Sequence, residues 1–303
     1  MTLEEIVKFL REKPYAKEMG AGKLSKWFEC DRETIYKAKE ILKKSKVKLP
    51  KILLLDIETT PLEAFVWQMQ VWKARVNDEA VISRWFMLTW SAKWLFSSEV
   101  MSMRLTGEEV KHEDDSRIVN GIWKVLNEAD IVIAHNGDNF DIPNINTRFI
   151  VTGLPPTKPY QTIDTLRIAQ KQFGFSHNSL NALARVFGLS EKIETDFELW
   201  RRCKNGDEEA LKEMETYNKH DVEVLEEVYL KIRSWIKGHP NLSLYNDSEI
   251  GQCPNCGSTN LKEVGNYFTS VGRYTVHQCE CGAMSRSRKT NISKNKTIFT
   301  ATR

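Results

Sequence analysis

The sequence predicts an α/β fold: a mixed-sheet domain, with a small helical module before it and a small cysteine-bearing module after it. Three observations carry that reading. The aliphatic run Lys51-Ile-Leu-Leu-Leu-Asp-Ile-Glu58 has the pattern of a strand buried on both faces. Strand-like and helix-like stretches then alternate as far as residue 235, as they do where helices pack on a sheet. Beyond them, Cys253, Cys256, Cys279 and Cys281 stand at the spacing of metal ligands.

At 28% charged and 41% hydrophobic, the 303 residues exclude collagen, low-complexity disorder and a disulfide miniprotein. The net charge of +3 conceals three regions. Residues 1–50 hold 13 Lys and Arg against 8 Asp and Glu, residues 283–303 hold 6 against none, and the remainder carries 25 against 33. Two basic ends around an acidic body suggest that the ends hold a polyanion while central carboxylates do something else, such as hold metal. Apolar runs such as Ile52–Leu55 and Ile131–Ala134 fall far short of the ~18 residues that span a bilayer. Glu4, Glu5, Lys8, Arg11, Glu12 and Lys13 break up any signal-peptide core, so a reducing cytoplasm and no membrane association are expected.

Residues 1–48 read as helices, since Ile6, Val7, Phe9 and Leu10, then Leu24, Trp27 and Phe28, then Ile35, Ala38, Ile41 and Leu42 recur at three-to-four spacing. Asp31 is the expected N-cap of the third helix. Residues 43–50, basic and ending in Pro50, read as a linker into a domain over 49–240. Alternation over 80–105 predicts two strands. Five of the nine tryptophans lie between 67 and 94, a pattern of sheet core with a base-stacking surface as the alternative. A helix over 116–128, a buried strand at Ile131–Ala134, a segment that starts at Ile163 and turns helical, a helix near Ser179–Phe187 and a long helix over 207–235 follow.

The sharpest local feature is Asp56-Ile-Glu58. In a strand these two carboxylates point to one face among apolar neighbours, a costly placement unless a cation shares them. A second acidic segment, His135-Asn136-Gly-Asp-Asn-Phe140-Asp141, opens at the mouth of a buried strand. In a third, Tyr217-Asn-Lys-His-Asp221, the tyrosine and the last aspartate stack one turn apart on the apolar face of the long helix, with His220 peripheral.

These three segments resemble the exonuclease motifs of the DEDD family, the ribonuclease H-like 3′→5′ exonucleases that include proofreading domains of DNA polymerases. The match falls on Asp56 and Glu58, on Asn136 and Phe140-Asp141, and on Tyr217 and Asp221. A tyrosine four residues before the last aspartate is similar to the DEDDy branch, closest to the domains of family B polymerases; the other branch would want histidine where Thr216 stands. Ile163-Asp164-Thr165-Leu166 and the following Leu180-Asn-Ala-Leu-Ala also resemble the stretch these folds carry between the second and third motifs. The resemblance covers residues 51–235 and implies a stand-alone metal-dependent exonuclease of the ribonuclease H-like fold. Its compact multi-module form is similar to phage-encoded nucleases.

Phosphodiester hydrolysis needs an activated water and neutralised charge on the phosphoryl and leaving oxygens, which two divalent ions ~3.5–4 Å apart supply together. By the resemblance, Asp56 would bridge two Mg²⁺ or Mn²⁺ ions, Glu58 and Asp221 would complete the first, Asp141 would hold the second through water, and Tyr217 would orient the attacking water. Asn136 and Phe140 would bind substrate. Asp164 either supports this site or caps a helix.

The cysteine pairs, each followed by a glycine and separated by 22 residues, look like the knuckles of a zinc ribbon over 250–290, with a basic tail over 291–303. The second pair is one residue short of the usual spacing, so His277 is an alternative to Cys279; free thiols or an iron–sulfur cluster are alternatives to Zn²⁺. Residues 23–39 look like a helix-turn-helix that would present Arg32, Glu33, Tyr36, Lys37 and Lys39, although Glu29 and Cys30 occupy the turn where glycine is usual. A helical cap is the other reading. The expected function is a 3′→5′ exonuclease on DNA more than RNA, with replication or repair proteins as partners. A structure-selective endonuclease on the same fold and a DNA-binding adaptor are the alternatives.

Overall fold

The computed structural model describes the chain except residues 14, 15, 17, 18, 45–49, 68–75, 190–194, 247, 249 and 301–303. Most of the linker expected over 43–50 lies outside the described residues, as does Trp72. The chain divides into two compact units, residues 51–229 and a second formed by 1–50 with 230–303.

The first unit is built on a five-stranded sheet: β1 (Ile52–Thr59), β4 (Met87–Trp94), β5 (Met101–Arg104), β6 (Ile131–Ala134) and β7 (Gln161–Asp164), in the order β5-β4-β1-β6-β7. A separate ladder pairs β2 (Glu63–Ala64) with β3 (Val81–Ser83). The span 80–105, expected as two strands, therefore holds three, with the first in that separate ladder. β1 is central, antiparallel to β4 and parallel to β6, and its Leu53, Leu54 and Leu55 are fully buried, as the unbroken aliphatic run requires. β6 pairs with β1 no further than Ile133 opposite Leu54, so Asp56 and Glu58 extend past its end.

Two helices, α5 (Ser116–Leu126) and α10 (Glu208–Ile232), bury Ile118, Ile122, Leu211, Met214 and Tyr217 in the same apolar core as Leu53, Leu55 and Trp90. Trp90 donates its indole N–H to the Ile118 carbonyl at 2.8 Å, so the core reading of the tryptophans holds at that position. Trp67, by contrast, is fully exposed. The remaining helices of this unit are α4 (Gly107–Lys111), α6 (Asp141–Val151), α7 (Thr165–Gln172), α8 (Leu180–Phe187) and α9 (Phe197–Lys204).

In the second unit, α1 (Leu3–Glu12), α2 (Ala21–Trp27) and α3 (Arg32–Lys44) bury Ile6, Leu10, Leu24, Phe28, Ile35 and Ala38. Asp31 accepts from the Thr34 amide at 2.7 Å, the cap expected of it. The turn between α2 and α3 places Glu29 at φ 51°, the left-handed region that a glycine would occupy without strain. One expectation is corrected here: Lys39 is half-buried and donates to the Met19 carbonyl at 2.6 Å, so it is not presented with Arg32, Tyr36 and Lys37. The C-terminal part is a three-stranded antiparallel sheet, β10 (Met284–Arg286), β9 (Arg273–Cys279) and β8 (Leu261–Phe268) in that order. Among the described residues no helix is long and apolar enough to cross a membrane.

Candidate active site

Strand geometry puts Asp56 and Glu58 on one face of β1, both half-buried. α10 brings Asp221 to them, 4% exposed, and one oxygen from each of the three carboxylates lies within 4.8 Å of the others. Three carboxylates this close repel one another unless a cation neutralises them, and hard oxygen donors of this kind suit Mg²⁺ or Mn²⁺. The donor set fits a divalent ion.

Asp141 begins α6 and is 2% exposed. Its Oδ1 accepts from the Ile57 amide at 3.1 Å, a β1 donor beyond the end of β6. Burial, with the Asp164 charge added, pushes the Asp141 carboxyl up to about 7. A nearby cation would favour its ionised form.

Tyr217 is buried one helical turn before Asp221, with its ring edge-on to Trp200 at 6.1 Å. Its hydroxyl is hydrogen-bonded to Asp221, and burial together with the Asp221, Glu58 and Asp56 charges pushes it well above the usual phenol range. The hydroxyl therefore keeps its proton. Beside it lies a residue that sequence reasoning missed. Asn218 is fully buried and donates Nδ2 to Asp56 Oδ2 at 2.6 Å. A signal existed: Asn218 is three residues before Asp221 and so shares its side of the helix.

The segment after β6 is shaped by Asp164. That carboxylate accepts from the Asn136 amide at 3.0 Å and the Asp138 amide at 3.3 Å, and it also caps α7 through the Arg167 amide at 3.1 Å. Asp164 thus both caps a helix and supports the site. Asn136 itself is left-handed, at φ 70°, and its side-chain oxygen accepts from Asn139. Gly137 is required next to it, because a Cβ there would stand 2.4 Å from the Ala134 Cβ. His135 is held between Thr165 Oγ1 at 2.9 Å and the Asn178 carbonyl at 3.0 Å.

One cleft of about 630 Å³ is lined by Asp56, Glu58, Asp141, Tyr217 and Asp221 together with Asn136 and Phe140, so all seven residues singled out in this domain come together. Phe140 is 40% exposed at this cleft. The segment Ser176–Leu180 lines it as well, with nothing in its sequence to signal that.

Replacing Asn218 by Ala removes the hydrogen bond that orients Asp56. Partners of metal ligands of this kind are worth about 10–100-fold in metal affinity or activity. Manganese titration of the Asn218→Ala protein is therefore expected to give an affinity at least about tenfold weaker than the parent's. Unchanged affinity and rate would leave Asn218 a packing residue.

The second cluster lies in the other unit. The Cys253, Cys256, Cys279 and Cys281 sulfurs all fall within 4.8 Å of one another, with Cys253 to Cys281 at 3.8 Å and Cys256 to Cys279 at 3.5 Å. The edge of a tetrahedron with ~2.3 Å zinc–sulfur bonds is about 3.8 Å, so the set suits zinc. Cys279, not His277, completes it; His277 pairs with Glu263 and Ser285 in the sheet. The short second knuckle closes through Gly282, at φ 86°, whose amide donates to the Cys279 carbonyl at 2.9 Å.

A five-stranded mixed sheet with three carboxylates converging past the end of a strand defines an α/β domain with a candidate divalent-metal site. Residues 53–233 match the family described as the RNase_H superfamily, and the chain belongs to it. Among solved structures, a family B DNA polymerase from the hyperthermophilic archaeon Pyrobaculum calidifontis is similar at 15% identity, with a TM-score of 0.42 over 62% of this chain. The chain spans 26% of that polymerase. No match was found among curated proteins.

Proposed function

We propose that the protein is a metal-dependent 3′→5′ exonuclease, acting on DNA in preference to RNA and releasing nucleoside 5′-monophosphates. What carries the reading is the Tyr217 hydroxyl bonded to Asp221 beside Asp56 and Glu58, in a cleft that also contains Asp141. Asp56, Glu58 and Asp221 would hold one divalent ion, Mg²⁺ or Mn²⁺, and Asp56 with Asp141 a second. When bound, such ions acidify a water and neutralise charge on the phosphoryl and leaving oxygens.

The chain's own groups then have separate tasks. Asn218 holds Asp56 in one orientation. Tyr217 donates to Asp221, and its oxygen accepts a hydrogen bond from the attacking water, a positioning role that needs no titration. Asn136 and Phe140 contact the terminal nucleotide. The four cysteines hold one structural Zn²⁺, and the helix-turn-helix-like module of residues 1–48 and the basic tail of residues 291–303 hold the strand outside the cleft, in association with replication or repair proteins.

The test is cleavage of 5′-labelled single-stranded and duplex DNA with Mg²⁺ or Mn²⁺. A ladder shortening from the 3′ end is expected, absent without added divalent metal and absent in Asp141→Ala. Cleavage that a blocked 3′ end leaves unaffected would replace the exonuclease by an endonuclease on the same fold. No cleavage of DNA or RNA by folded protein would end the enzymatic reading.

A further inference from the structure

The three-stranded sheet of the C-terminal part has two different faces. Cys279 and its partner Leu261 lie on one, the face of the cysteine cluster, and pleating sends Glu263 and His277 to the same side. The register then places Tyr267 opposite Tyr274, and Arg286 opposite Val276, on the other face. Lys262 and Gln278 are a further cross-strand pair on this side.

On that second face the Arg286 guanidinium lies 4.2 Å from the Tyr274 ring centre and 5.5 Å from that of Tyr267, so three flat groups from three strands stand together. Tyr267 is 51% exposed and Arg286 is exposed. Gly265, at φ 139°, stands between Lys262 and Tyr267, and a Cβ there would meet nothing within 4 Å. The platform is therefore clear on its β8 side. No carboxylate from the three strands reaches this face: Glu263, their one acidic residue, is on the other. The chain that continues from β10 is basic throughout, since residues 283–303 hold 6 Lys and Arg and no Asp or Glu.

From this arrangement we infer that the Tyr267–Arg286–Tyr274 face is a base-stacking platform for single-stranded nucleic acid. Bases stack on tyrosine rings and on guanidinium planes alike, and every base offers such a face, so binding here is tolerant of sequence. The surrounding lysine and arginine charges take the phosphates and make the interaction salt-dependent. A protein partner would not call for a carboxylate-free face continuous with a polybasic tail, whereas a polyanion does. The inference rests on the reading that the chain handles nucleic acid, but it places the strand on an element distant in sequence from the carboxylates and needs no cleavage.

The test uses the full chain with Asp221→Asn to silence hydrolysis, and fluorescence anisotropy with two probes, a thymidine 12-mer and an abasic 12-mer of equal phosphate count. The parent is expected to prefer the thymidine probe. Tyr267→Ala with Tyr274→Ala is expected to weaken binding to that probe by at least about tenfold, with little change on the abasic one. Tyr267→Phe with Tyr274→Phe keeps the rings and is expected to keep the preference. Tyr267 is substituted at an exposed position and Tyr274 at a half-buried one, and one zinc per chain in the variants confirms that the module is folded. Equal binding of both probes by the parent, or an alanine pair that binds as the parent does, overturns the inference. So does an alanine pair that changes only the sedimentation of the protein, since the face would then join two copies of the chain. Absence of cleavage by the chain with Asp221 intact, with the probe preference retained, would count against the exonuclease alone.

Discussion

Asp221→Asn is expected to abolish measurable cleavage while making the metal-depleted protein more stable. The two effects share one cause. Asp56, Glu58 and Asp221 hold their oxygens within 4.8 Å of one another, and such a cluster costs folding energy that only a bound cation recovers. Asparagine keeps an oxygen to accept the Tyr217 hydrogen bond but removes one negative charge. Without divalent metal, thermal unfolding of the variant should therefore occur above that of the parent, by about 2–4 °C for each kcal/mol of repulsion relieved. With Mn²⁺ the order should reverse, because the parent gains binding energy that the variant has lost. Metal-ion catalysis supplies several kcal/mol of transition-state stabilisation, so the rate should fall by about a thousandfold or more. A variant that melts below the parent without metal would remove the repulsion argument, and one that still cleaves would remove Asp221 from the machinery.

The second large effect is expected at the other cluster. Cys279→Ser should leave the protein with no bound zinc and melt the β8–β10 sheet, while residues 51–229 stay folded. The apolar core of this part consists of Cys253, Cys279 and Ala283, with Leu261, Cys256 and Cys281 packed against them. So little apolar surface cannot offset the entropy of ordering three strands, whereas structural zinc contributes about 10–16 kcal/mol to small domains of this kind. Hydrogen exchange across Leu261–Phe268 and Arg273–Cys279 reads the outcome directly. Amides that remain protected in zinc-free protein would mean that the sheet is held by something other than metal.

How much of this was legible in the sequence depended on whether the signal was local. The β1 strand declared itself because Leu53, Leu54 and Leu55 are buried on both sides, and the long helix because its apolar stripe recurs over many turns. The carboxylate segments were visible because two sit at the ends of buried strands and the third on the apolar face of the long helix. Short elements were harder. Among them β6 and α8 were read from their apolar runs, whereas β7 buries only Ile163 and Asp164 and α9 only Leu199 and Cys203, so neither shows a pattern against its neighbours. Lys39 was misread for a different reason: helix spacing placed it beside Tyr36, but the Met19 carbonyl that captures it belongs to another segment.

By itself, then, the sequence determined which elements hold the candidate site residues, because side-chain periodicity in strands and helices is a property of neighbours along the chain. Tertiary structure alone decided how those residues meet. Asn218 reaches Asp56 across 162 positions, Asp141 accepts from the Ile57 amide across 84, and Asp164 holds the turn that presents Asn136. Each of these contacts depends on where β6 ends and how α10 packs on the sheet, and packing of that kind is set by the whole buried surface rather than by any stretch of sequence.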